Sequence, residues 1–217
     1  MQNNNAPDTA GYDAINAELE RAYGKTEIQR FVNPVFWELG GKDFLKEVAV
    51  LDCGDYFHFV TYGLSDVYDL FEKGSERPEY SGFGYEMTFK LKKDCYENEK
   101  DEINNFCNIL NLLADYTNEN REIFRSFEYL ETGQERGFDS KGRSALTGFI
   151  FVPNTSLNTV DTPNGKVMFT ELVGMTKREL DHLTECEYSG GNIGEAVGAI
   201  YKKLGTDITD LCRKSLI

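Results

Sequence analysis

Tyr85-Glu86-Met87-Thr88-Phe89-Lys90-Leu91-Lys92 alternates a bulky apolar residue with a polar one. Successive side chains of an extended chain point to opposite faces, so this spacing predicts a strand with Tyr85, Met87, Phe89 and Leu91 on a core face. Glu86, Thr88, Lys90 and Lys92 are expected on a polar face, with Glu86 pointing away from the apolar side. Upstream, residues 44–51 and 56–62 read as two strands separated by Asp52-Cys53-Gly54-Asp55, which has the chemistry of a hairpin turn. Phe57, Phe59, Val60 and Tyr62 put bulk on both faces, so the second of these strands belongs inside the sheet.

Working outward, Tyr12, Ile15, Leu19 and Ala22 recur at helical spacing and Gly24 is placed to stop that helix. Residues 72–82 read as a loop. Ile103, Phe106, Leu110 and Leu113 form the apolar stripe of a helix over residues 101–116, with Cys107 in the core. The polar, glycine-rich stretch 131–144 predicts a mobile flap or an insertion with little structure of its own. Asn164-Gly165 supplies a tight turn between residues 158–161 and 166–174. Thr176 and Glu179 make a capping box that starts a helix running to about Cys186, a last helix follows from Ile193 and ends at Gly205, and residues 207–217 are a candidate final strand. No repeat or linker divides these elements. The expectation is a single mixed α/β (α+β) domain over residues 11–217, behind a flexible tail at 1–10, with a central mixed or antiparallel sheet flanked by helices.

The 217 residues are 40% hydrophobic and 28% charged, the balance of a folded globular protein. With 23 basic against 37 acidic side chains the net charge is −14, which repels phosphate backbones and disfavours nucleic acid as a partner. No apolar run is long enough to span a membrane, and the start of the chain has neither a basic nor an apolar signal region. Five scattered cysteines without a close-spaced pair suit a reducing cytoplasm.

Catalytic and cofactor signatures are absent. His58 and His182 have no cysteine pair near them, so a metal site is not expected: His58 reads as a structural histidine on a strand and His182 as an exposed helix residue. Gly82-Phe83-Gly84 precedes a strand, whereas a phosphate loop needs a following helix. No cofactor and no catalytic residue are therefore assigned. Asp66 and Glu86 form the one carboxylate pair that could serve as acid and base in an unrecognised hydrolase, although a cap on a helical turn at Val67-Tyr68 is the commoner reason for Asp66.

The segment His58-Phe59-Val60-Thr61-Tyr62-Gly63-Leu64-Ser65-Asp66-Val67-Tyr68, with Ser81-Gly82-Phe83-Gly84-Tyr85-Glu86-Met87-Thr88-Phe89-Lys90-Leu91-Lys92, resembles the suppressor of fused family. Thr162-Pro163-Asn164-Gly165-Lys166-Val167, Leu172-Val173-Gly174-Met175-Thr176 and Ile208-Thr209-Asp210 follow in the same order. The resemblance implies a protein-binding module, not an enzyme. Animal members have two lobes that restrain zinc-finger transcription factors and grip a partner peptide between them, with acidic residues that match Asp66 and Glu86 taking part. The chain resembles the first lobe, as stand-alone bacterial members do, and some of these are thought to be immunity proteins that neutralise a toxin. The expected partner is a protein, a basic toxin domain or peptide, received by Asp66 and Glu86 with Tyr62 and Tyr68 beside them. A purely structural, self-associating domain is the remaining alternative.

Overall fold

The computed structural model describes residues 9–66, 77–94 and 96–217. In chain order they form α1 (Ala10–Tyr23), β1 (Ile28–Val32), β2 (Glu47–Asp52), β3 (Tyr56–Tyr62), β4 (Tyr80–Lys92), α2 (Glu99–Asn120), β5 (Tyr129–Glu131), β6 (Leu146–Pro153), β7 (Val160–Thr162), β8 (Gly165–Thr176), α3 (Lys177–Tyr188), α4 (Ile193–Leu204) and β9 (Ile208–Thr209). The strands make one mixed sheet in the order β1-β2-β3-β4-β8-β6-β5, with β7 beside β8 and β9 beside β4. β4 runs parallel to β8 and β9, and the remaining pairings are antiparallel.

The local signals act where they were placed. Gly24 ends α1 at a φ of +68°. Gly54, at +85°, turns β2 into β3 while its N–H donates to Asp52 Oδ1 at 2.9 Å. Thr176 and Glu179 close a reciprocal capping box on α3, and Gly205 in the left-handed region ends α4. Helices cover both faces of the sheet. Tyr85, Met87, Phe89 and Leu91 pack with α2 through Ile103, Phe106 and Leu110. Burial pushes the thiol of Cys107 on that helix up to about 12, as befits a core cysteine. On the opposite face α1 lies over β2, β3 and the start of β8, and α3 and α4 cover β6 and the end of β8.

Because both faces are covered, the polar side of the octet reaches solvent only at its end, where the Lys92 side chain is 40% exposed. Glu86, Thr88 and Lys90 are as buried as their apolar neighbours. Each has internal partners: Thr88 donates to Glu171 Oε2 at 2.8 Å, and Lys90 Nζ donates to Asp207 at 2.6 Å. His58 joins this network through its Nε2, 3.6 Å from Glu171 Oε2 and 3.5 Å from Asn154 Nδ2, while its Nδ1 lies 2.6 Å from the Tyr23 hydroxyl. It is the hydrogen-bonded core histidine expected from its strand position, while His182 lies exposed on α3.

Other readings need correction. Gly82-Phe83-Gly84 does not precede β4 but forms a bulge inside it, where Tyr80 to Tyr85 face only Lys166 to Met168 of β8. The stretch 131–144 is anchored, since Phe138 is buried against Phe149 with ring centroids 4.5 Å apart. Ser140 adds two donors, its N–H and its hydroxyl, to the carboxylate of Glu102. β1, β5 and β6 carry no alternation, which is why pattern reading passes over them, and the final strand is only two residues long. Cys53, Cys107 and Cys186 are free thiols, and Cys212 is disulfide-bonded. No helix among the described residues is long and apolar enough to cross a membrane.

Candidate functional site

β3 and β4 stay paired only as far as Val60 and Thr88, beyond which the two strands diverge around the Glu86 carboxylate. Thr61 fills the break: its hydroxyl donates to Glu86 Oε2 at 2.6 Å and accepts from the Met87 N–H at 2.9 Å. The other carboxylate oxygen receives the N–H of Gly63 at 3.1 Å, the N–H of Ser65 at 2.9 Å and the Ser65 hydroxyl at 2.6 Å. Glu86 is 0% exposed, and burial pushes its pKa up to about 7 against the opposing pull of these donors. Its geometry is that of a brace that fixes residues 63–65.

Asp66 is the next residue along and stands at the surface, with 31% of its side chain exposed and its carboxylate 2.6 Å from Lys46 Nζ. Lys46 also reaches Glu38 at 3.2 Å and lies 5.8 Å from the centre of the Phe36 ring. Burial works against the charge on Lys46, but the hydrogen bond and attraction of Asp66, with Glu38 behind, hold its pKa above the ordinary lysine value. Asp66 and Glu86 both line a cavity of about 240 Å³, walled by Tyr12 and Ile15 of α1, by Phe36 and by Tyr62.

Tyr62 is almost fully buried in that wall, and its hydroxyl donates to Asn16 Oδ1 at 2.8 Å. The Arg30 guanidinium lies 5.0 Å from the Tyr12 ring centre and 5.3 Å from that of Tyr62, and it pairs with Glu47. Tyr62 thus presents a ring face and keeps its polar end engaged. Tyr68 and the helical turn expected at Val67-Tyr68 lie outside the described residues.

The structure therefore brings three of the four expected site residues to one cavity and gives them different stations: Asp66 at the rim, Tyr62 in the wall, Glu86 beneath. Lys46, Phe36 and Tyr12 were missed, because each comes from a distant segment and resembles any surface lysine or core aromatic in the sequence. A polar Lys46 directly after Phe44-Leu45 was the one available signal.

The family model described as Suppressor of fused protein (SUFU) matches residues 46–214. The chain belongs to the suppressor of fused family. The human and mouse proteins named Suppressor of fused homolog are each 27% identical to it over 184 residues, which is 78% of this chain and 36% of theirs. The chain thus spans about a third of the length of these curated suppressor of fused relatives. Among solved structures, a chain in a crystal structure of the Sufu-Fu complex superposes with a TM-score of 0.76 at 21% identity, covering 94% of this chain and 91% of that one. Drosophila Suppressor of Fused superposes with a TM-score of 0.75 at 22% identity, covering 94% of this chain and 50% of that one. These likenesses show a suppressor of fused fold.

Proposed function

We propose that this domain works by binding a protein partner at the rim of the Asp66 cavity. The observation that carries this reading is the partly exposed carboxylate of Asp66, paired on one side with Lys46, on a loop braced from behind by buried Glu86, above apolar rings of Tyr12, Phe36 and Tyr62. A fixed anion at the mouth of an aromatic-walled cavity suits a cationic or donor side chain flanked by apolar groups. A solved relative forms a Sufu-Fu complex, which supports a protein as the class of partner. The net charge of −14 favours a basic one, and a basic toxin domain met in the cytoplasm, with the chain as its immunity protein, is the specific form of the proposal.

The role is non-catalytic. Glu86 accepts four internal hydrogen bonds and is closed to solvent, so in an acid-base pair with Asp66 one member would be already committed to the 61–65 segment. Asp66→Arg in a chain that retains its circular dichroism spectrum is expected to abolish capture of the partner that the wild type binds. Capture at wild-type levels would move the interface elsewhere, and turnover of any substrate lost in Asp66→Asn would establish the hydrolase reading instead.

A further inference from the structure

A second and larger cavity, of about 710 Å³, opens where the β4 bulge draws away from β8. That volume falls within the roughly 300–1,000 Å³ typical of small-molecule sites. Tyr80 and Phe83 of the bulge form one side, Met168 and Phe169 of β8 lie beneath, and Ile123 to Arg125 form the other side. Tyr80 and Met168 are 39% and 40% exposed, unusual for large apolar side chains lining one hollow. Gly84, at a φ of +85°, makes this arrangement possible, because a Cβ there would come within 3.0 Å of Tyr80 Cβ.

The wall opposite the bulge is strained. Arg121 and Phe127, the two non-glycine residues with positive φ among the described residues, bracket the 122–126 loop. Such strain persists where its surroundings hold it, characteristically beside ligands. Arg121 ties the loop to the bulge by placing its guanidinium 5.5 Å from the centre of the Phe83 ring. Arg125 is the one charged residue among the described residues lining the cavity; its side chain is 71% exposed, its guanidinium forms a loose ion pair with Glu128 at 3.9 Å, and the other Glu128 carboxylate oxygen accepts from the Arg125 backbone N–H at 2.9 Å.

We infer that this cavity binds a small amphipathic monocarboxylate of the medium-chain fatty acid class, with its hydrocarbon body against Tyr80, Phe83 and Met168 and its carboxylate on Arg125. A cation at the mouth of an apolar hollow, on a chain of strong net negative charge, marks where an anionic head would sit. The test is calorimetric titration of the full chain with decanoate, decanol and acetate below any micelle-forming concentration, with methyl spectra following Met168 and Ile123. The expected result is saturable one-to-one binding of decanoate, at least fivefold weaker binding of decanol, none of acetate, and shifts at both methyl reporters. Arg125→Gln should bring decanoate to the level of decanol, and Met168→Trp should fill the cavity and abolish both. The inference is overturned if decanoate does not saturate, if its shifts map away from Met168 and Ile123, or if Arg125→Gln leaves its affinity unchanged. A cavity that takes only the apolar side chain of a protein partner gives the first of these results.

Discussion

Glu86 and Gly82 decide whether the Asp66 loop keeps its place. The raised pKa of Glu86 means that the folded chain holds its proton more tightly than the unfolded chain does. The stability it contributes is therefore full below about 4.5, shrinks as pH climbs, and is lost once pH passes about 7. The loss is on the order of 3 kcal/mol. Glu86→Gln should flatten this slope, which urea midpoints of wild type and variant at pH 5 and pH 8 will show; parallel changes in the two proteins would uncouple Glu86 from the effect. Gly82 lies at a φ of +56° with Leu64 and Asp66 carbonyl oxygens 2.7 and 2.5 Å from where a Cβ would be. Gly82→Ala adds the roughly 1–2 kcal/mol of a left-handed non-glycine residue, and the clash pushes the Asp66 loop outward. Loss of partner binding together with a lowered melting temperature is the expected outcome, and a variant as stable as wild type would contradict it.

At the scale of elements, the 131–144 segment separates composition from packing. Its serines and glycines look like a flap, yet Phe138 is buried in the main core against Phe149. Phe138→Ala should cost about 3–5 kcal/mol in chemical denaturation, whereas a residue on a loose flap would change stability by no more than about 0.5 kcal/mol. The same contrast explains what could be read in advance. Alternation located β4 and its core face, the turn residues located the β2–β3 and β7–β8 hairpins, and cap residues located α3 and α4. Alternation identified the far side of β4 as polar but not as covered, because polar residues satisfied by one another inside a covered sheet have the same sequence pattern as residues facing water. β6 escaped because Phe149, Ile150, Phe151 and Val152 are buried on both faces and leave no period to detect. For the site, Asp66, Glu86 and Tyr62 stood out through a resemblance, but their stations depend on α1 and on Phe36 and Lys46, which long-range packing brings in from elsewhere in the chain.

For the whole molecule, the family fold and the net charge of −14 frame one account: a sheet covered on both sides, with a braced aspartate at its rim that we propose meets a basic protein. Screening must weaken such an encounter, so the association rate with that partner should fall steeply between 50 and 500 mM salt in stopped-flow traces, while dissociation changes little. A salt-insensitive rate would point to a partner recognised by apolar contact alone. The most direct test is calorimetric titration of the purified partner captured by the wild-type chain against wild type, Asp66→Arg and Asp181→Arg, the last reversing an exposed charge on α3 outside the cavity. At least a tenfold loss of affinity in Asp66→Arg with Asp181→Arg unchanged is predicted; equal affinity in all three would contradict the account.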